Sequence, residues 1–183
     1  MEEDQEKPKS LVINSNILFS ALVREEGFTR AALLFLKDNT NMKFLVPKVV
    51  NDEFKFNVGE IARKSKLDTN TVLMNFKKLL ENVDQLNEYD LKTEIEEGLE
   101  YVNHDSDAPF VAVALKQKPA YILTYNKKDY KADELKRLGI SVVTPKEALE
   151  LIGIGKLELK TKEKSKKNLL YYLTKMKFFP INK

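Results

Sequence analysis

Short apolar segments alternate with longer segments of helical periodicity along most of this chain. The apolar segments cover residues 11–13, 43–46, 121–124 and 140–143. Between them, apolar residues recur every three or four positions, as on one face of a helix. Strands that alternate with helices in this way are typical of a parallel sheet with helices on both faces. We therefore predict a three-layer α/β/α fold around a central parallel sheet.

Start and stop signals place the helices more closely. Asn16 is predicted to cap the first helix, because a short polar side chain there can accept a free backbone N–H. Pro47 and Pro109 are predicted to lie in the first turns of two later helices, where a missing N–H costs nothing. Residues 127–138 are predicted to form one polar helix.

The chain divides into three parts by composition. Residues 1–10 are charged and predict a flexible tail, and residues 11–153 carry the strand and helix pattern. Residues 154–183 contain nine lysines and two glutamates, a net charge of +7, which leaves −4 for the rest of a chain whose total is +3. This basic C-terminal extension, predicted to be helical in part, fits either a polyanionic partner or a solvated surface.

Aromatic residues lie among the lysines of the extension, and two interpretations fit this pattern. Basic and aromatic residues together can bind single-stranded RNA by charge and stacking. Alternatively, Leu169, Tyr172, Leu173 and Met176 form an apolar stripe that packs on the body or on a second subunit. We favour packing of the stripe, with lysines left free to face RNA: Lys162, Lys164, Lys166, Lys167, Lys175 and Lys177.

Residue types that are rare in the chain exclude several kinds of site. There is no cysteine, which excludes disulfides and thiolate metal sites, and His104 is the single histidine. A His-rich zinc site and a Ser-His-Asp triad are therefore not expected, and His104 is interpreted as a solvated loop residue. No stretch reaches the ~18 apolar residues of a membrane span, and the N-terminus lacks an apolar signal core, which predicts a cytoplasmic protein.

Polar side chains follow predicted strands or begin a helix at several points. Asn14, Ser15 and Asn16 come directly after the first strand, and Asn126 and Asp129 follow the strand over residues 121–124. Open α/β sheets bind ligands at the carboxyl edge of their strands. Carboxylate and amide oxygens at that edge suit Mg²⁺ or Mn²⁺.

Two further acids are candidates for the same edge. Asp107 precedes an entirely apolar run over residues 109–115, so its helix should be buried and its carboxylate should face a cleft. The alternative is a helix cap, and both interpretations hold together if Ser106 or Asp105 provides the cap. Glu53 lies among apolar neighbours, near the expected boundary of the core.

Four segments in this order resemble the PIN domain family, especially its small prokaryotic VapC-type members and their stand-alone archaeal relatives. They are residues 12–16, 47–53, 107–115 and 122–130. The resemblance covers about residues 11–151 and does not extend to the tail after Gly153.

The resemblance implies a metal-dependent endoribonuclease with a negatively charged cleft that holds Mg²⁺ or Mn²⁺. By position, Glu53, Asp107 and Asp129 match the family's metal-binding acids, and Asn16 matches the residue thought to orient the first acid. Ser15 and Thr124 match small hydroxyl positions that line the cleft. Asn126 takes the place of the acid in the commoner form of the last motif.

Asn14 departs from the family pattern, which has Asp at this catalytic position. An amide keeps one carbonyl oxygen but loses the charge, so it is a weaker ligand for a hard cation. Either the natural site is weakened, or an inactivating Asp→Asn change is present. Two functions therefore stay open: an endoribonuclease, with an antitoxin partner if it is a toxin, and a non-catalytic PIN module that binds RNA or protein. The resemblance also implies a homodimer.

Overall fold

A five-stranded parallel sheet forms the centre of the protein. The structure, a computed structural model, describes residues 9–152. Within this part the strands lie in the order β3-β2-β1-β4-β5, and all neighbouring pairs are parallel. Leu11 of the central strand lies opposite Phe44 on one side and Tyr121 on the other. The strands are β1 Ser10–Ile13, β2 Lys43–Pro47, β3 Asp84–Leu86, β4 Ala120–Leu123 and β5 Ile140–Val143.

Helices cover both faces of the sheet, which confirms the predicted three-layer α/β/α fold. They are α1 Ser15–Val23, α2 Phe28–Asn39, α3 Val49–Ser65, α4 Thr69–Leu79, α5 Lys92–Gly98, α6 Ala108–Lys116, α7 Ala132–Arg137 and α8 Pro145–Leu151. Helix α6 packs on β1, β2 and β4 and is covered by α5, whereas α1 packs with α2, α3 and α4. None of the helices between residues 9 and 152 is long and apolar enough to cross a membrane.

The core explains why two of these elements are so apolar in sequence. All four residues of β1 are buried, as expected for a central parallel strand covered on both faces. Helix α6 buries every residue from Phe110 to Leu115, which confirms that the apolar run after Asp107 is an internal helix. Phe54 of α3 stacks on Phe76 of α4, with ring centroids 3.9 Å apart, and joins two helices of the opposite layer.

Several predicted element boundaries are wrong. The side chain that caps α1 belongs to Asn14, not Asn16, because the helix already begins at Ser15. Pro47 ends β2 instead of opening a helix, and α3 begins two residues later at Val49. Proline is tolerated both at the end of a strand and in the first turn of a helix, because it has no backbone N–H that would need an acceptor.

The predicted polar helix over residues 127–138 is interrupted. A 3₁₀ turn spans Lys127–Asp129, and α7 begins only at Ala132. Between them, Tyr130 pairs with Val102 in an antiparallel bridge, and the Lys131 N–H donates to the carbonyl of Tyr101. These long-range bonds take the place of helical ones, so tertiary contacts override the local pattern.

Some predictions lie outside the described residues. Most of the predicted N-terminal tail does, although Ser10 proves to be a buried member of β1. The basic extension over residues 154–183 does as well. Its proposed RNA-facing lysines belong to that segment: Lys162, Lys164, Lys166, Lys167, Lys175 and Lys177.

Candidate active site

A polar cavity of about 430 Å³ opens beside the carboxyl ends of β1 and β4. These two strands are neighbours in the sheet but distant in sequence, so the chain crosses over there and leaves a crevice. Seven of the eight predicted site residues in the described part line this cavity: Asn14, Ser15, Asn16, Glu53, Asp107, Asn126 and Asp129. The eighth, Thr124, is fully buried behind it.

Asn14 connects three parts of this site. Its side-chain oxygen accepts the Asn16 N–H at 3.0 Å, which fixes the orientation of the amide because a backbone N–H can only donate. The amide nitrogen then donates to Asp107 Oδ1 at 2.9 Å and to the Tyr130 hydroxyl at 2.7 Å. Both amide hydrogens and the amide oxygen are therefore engaged. Asn14 holds its neighbours in place and has no hydrogen left for another acceptor.

Tyr130 is a member of the site that the sequence analysis did not single out. Its hydroxyl donates to Asp107 Oδ1 at 2.9 Å while it accepts from Asn14. Burial raises the pKa of Tyr130 strongly, and the negative charge of Asp107 adds to this rise. The phenol therefore stays protonated and donates. In the sequence, the signal for its role was its position directly after Asp129, at the end of the last segment that resembles the PIN domain.

Glu53 brings a partly buried carboxylate to the cavity. The side chain is half-buried in the first turns of α3, and Oε2 has no hydrogen-bond partner among the residues that the structure describes. Burial raises the pKa of Glu53, a hydrogen bond with Ser15 lowers it in part, and the charge of Asp107 raises it further. A buried carboxylate in this state lacks a compensating positive group. A cation or a proton would supply it.

The raised pKa of Glu53 predicts a specific pH dependence of stability without metal. The folded protein keeps the Glu53 proton at pH values where the unfolded chain has lost it, so the free energy of unfolding falls as pH rises through that window above 4.5. We expect Glu53→Gln to melt about 2–4 °C above the unchanged protein at neutral pH in EDTA, with the difference shrinking towards pH 4. Thermal melts of both proteins and of Asp52→Asn measure this. A difference that does not vary with pH would contradict the assignment.

Asp129 is positioned by the 3₁₀ turn Lys127–Asp129. The turn starts from Asn126, whose N–H donates to the Thr124 hydroxyl at 3.0 Å. Asn103 clamps the turn from the other side, because its N–H donates to the carbonyl of Asp129 at 2.8 Å. His104 Nε2 lies 3.8 Å from Asp129 Oδ1, and the histidine is two-thirds exposed. The predicted solvated loop position of His104 is thus consistent with the structure, at the rim of the cavity.

A second anchor holds the same turn against α8. Lys127 Nζ donates to both carboxylate oxygens of Glu147, at 2.8 and 3.0 Å. Glu147 also accepts the Thr144 N–H, and Thr144 caps the helix in return. The position of Asp129 is therefore tied to the end of β5 as well as to β4.

Asn16 joins the ends of β1 and β4. Its amide nitrogen donates to the Thr124 hydroxyl at 2.9 Å, and its oxygen accepts the Tyr125 N–H at 3.3 Å.

The expected cap by Ser106 or Asp105 is wrong, since α6 begins without a side-chain cap. Asp107 instead uses Oδ1 for Asn14 and Tyr130.

The acids share one cavity without forming a closed metal cage. Between residues 9 and 152, no three His, Asp or Glu side chains lie close enough together to hold a metal ion by themselves. Glu53 and Asp107 nevertheless interact electrostatically. Magnesium in proteins often uses only one or two carboxylates and keeps several waters. The oxygen atoms that line the cavity, including the unpaired Glu53 Oε2, are therefore ligands of the type that a magnesium ion prefers.

Comparison with known proteins identifies the family of this chain. The family model described as PIN domain matches residues 12–129, which contain all the acids of the cavity. A search of curated protein sequences finds no significant match.

The solved structures that are similar to this chain include the following two. PAE2754 from Pyrobaculum aerophilum is 14% identical, with 79% of this chain and 91% of that chain covered and a TM-score of 0.53, a likeness of fold alone. VapBC2 from Rickettsia felis, bound to a DNA fragment from their promoter, is 15% identical, with 74% and 98% covered and a TM-score of 0.47. Because the family model spans most of the described domain, the chain belongs to the PIN domain family.

Proposed function

We propose that this protein is an endoribonuclease that depends on Mg²⁺ or Mn²⁺. The observation that carries the proposal is the buried Oε2 of Glu53, which lacks a hydrogen-bond partner in the described residues and lies in the same cavity as Asp107. Burying such a group costs free energy unless a partner arrives. An unpaired buried group in a folded protein needs an explanation, and a bound ion is one that suits an anionic oxygen.

Each residue of the cavity has a role in this proposal. Glu53 and Asp107, which interact electrostatically, would hold the cation, and Asp129, which lines the same cavity, would contact it through bound water. When bound, the ion activates water and offsets negative charge on the phosphate that is cut. Asn14 and Tyr130 orient Asp107 through Oδ1 and leave its other oxygen uncommitted. Rigid positioning of this kind is needed because small displacements of catalytic groups cost large factors in rate.

Metal dependence is the direct test of the proposal. We expect a fluorescently labelled single-stranded RNA to be cut in the presence of Mn²⁺, with cleavage lost in EDTA and restored by excess Mn²⁺. Glu53→Gln should reduce the rate by about 10-fold or more, because one charged ligand is lost. The control Asp52→Asn changes an exposed neighbour that pairs with Lys55 and should leave the rate unchanged. Cleavage that persists in EDTA would contradict the proposal.

A second candidate function is a non-catalytic module that binds RNA or protein. The saturated amide of Asn14 favours it, because that side chain holds Asp107 and adds no charge to the cavity. If the protein is such a module, we expect it to bind RNA with equal affinity in EDTA and in Mn²⁺ and to cleave RNA in neither. The antitoxin and the homodimer stay predictions that follow from the resemblance.

A further inference from the structure

A second cavity of about 610 Å³ adjoins the acidic one and shares Asn16 with it. Residues of α1, α2 and α3 form its walls, and Tyr125 lies where it meets the strand ends. We call it the aromatic groove and define it by Arg24, Phe28, Lys64 and Tyr125. A molecule bound at the acids can therefore continue into the groove past Asn16.

Tyr125 combines an exposed ring with a fixed position. The side chain is 44% exposed, yet its hydroxyl bonds Thr29 at 2.6 Å, and Thr29 in turn bonds Ser20 at 3.1 Å. Its backbone N–H is held by Asn16. Because the ring is already immobilised, a ligand that stacks on it pays little ordering entropy.

Phe28 gives the groove a second aromatic face. It begins α2, precedes Thr29 in the chain and is also 44% exposed. Both side chains line the same cavity, and each leaves part of its ring exposed to water. Successive bases of single-stranded nucleic acids stack on aromatic side chains arranged in this way, with little regard to sequence.

The charge of the groove is opposite to that of the acidic cavity. Arg24 forms no ion pair among the described residues, whereas Lys64 pairs with Glu60 at 2.6 Å, so the lining charges leave a surplus of one positive charge. Gly27 permits the close approach of the chain to Arg24, since a Cβ at position 27 would lie 2.8 Å from the Cβ of Arg24. The exposed Arg24 is therefore placed to meet phosphate beside aromatic rings.

We propose that the aromatic groove binds the single-stranded RNA segment next to the phosphate that is cut. Bases stack on Phe28 and Tyr125, and the backbone passes Arg24. The inference rests on the proposed function, which makes RNA the substrate, and adds to it the site that grips the strand. A protein segment is the other occupant of suitable size, and the experiment below separates the two.

The chain contains no tryptophan, so a single one can report on the groove. We expect Phe28→Trp to show saturable quenching of its fluorescence when a ten-nucleotide RNA is titrated in EDTA, where no cleavage takes place. The control Tyr89→Trp changes a residue that is 91% exposed and lines neither cavity. It should show no saturable change. Equal quenching of both variants, or no quenching in either, would overturn the proposal and leave a protein occupant.

Affinity measurements with the otherwise unchanged chain complete the test. Tyr125→Leu and Arg24→Gln should each weaken RNA binding in EDTA by about tenfold, while Tyr125→Phe keeps the ring and stays within about twofold. Arg63→Gln removes an exposed positive charge outside the groove and is the matched control. If Tyr125→Leu binds as well as the unchanged protein, the groove does not hold RNA. Cleavage with Mn²⁺ is a separate measurement, so the proposed function can stand or fall independently.

Discussion

Replacing Asp107 by Asn is expected to reduce the rate of RNA cleavage at least about 100-fold, the largest loss that we predict for a single substitution. The change removes one of the acids that would hold the cation, and the lost electrostatic stabilisation of the transition state is worth several kcal/mol. The fold should survive, because an amide oxygen at this position can still accept from Asn14 and Tyr130.

Single-turnover cleavage with Mn²⁺ measures this loss, and circular dichroism checks the fold. The matched control is Asp105→Asn, which removes an exposed carboxylate from the same 3₁₀ turn without touching the cavity. It should keep nearly full activity. If Asp107→Asn cuts RNA at an unchanged rate, Asp107 does not belong to the catalytic machinery.

Replacing Asn14 by Asp should destabilise the metal-free protein and make its stability depend on Mn²⁺. The new carboxylate would face Asp107 Oδ1 across the 2.9 Å now spanned by a hydrogen bond. Two carboxylates this close cannot both ionise without a cation. The single hydroxyl hydrogen of Tyr130 can satisfy only one of them. We expect a loss of about 2 kcal/mol in the free energy of unfolding in EDTA.

Added Mn²⁺ should reverse this loss and raise the rate of cleavage by about tenfold, because the site gains a charged ligand. Thermal melts with EDTA and with Mn²⁺, followed by cleavage assays, measure both effects. Asn70→Asp makes the same charge change at an exposed position on α4 and is the control. If the melting temperature of the Asn14→Asp protein does not change when Mn²⁺ is added, the cavity does not bind the ion.

Local patterns in the sequence were enough to predict most of the sheet. The strands β1, β2, β4 and β5 are apolar and buried, so each stands out from its surroundings. The strand β3 was missed because Asp84 and Gln85 are exposed and only Leu86 is partly covered. Edge position alone does not explain this, because β5 lies at the other edge and is covered by α7 and α8, whereas β3 is only three residues long and is left largely uncovered.

The sequence predicted which residues form the candidate site but not which hydrogen bonds join them. The sequence predicted that acids and amides would meet at the carboxyl edge of the sheet, because parallel strands bring their ends together. It did not indicate that Asn14 would cap α1, since Asn16 is an equally good capping residue by type. It also did not indicate that Tyr130 would complete the site.

By itself, the sequence determined the layers of this protein and the chemical nature of its cavity, because apolar periodicity and residue type are local properties. Only the tertiary structure decided which side chains hold each other. The bonds from Asn14 to Asp107 and Tyr130 span 93 and 116 positions along the chain. Contacts over such distances depend on how strands cross over and how helices pack, and no local pattern encodes them.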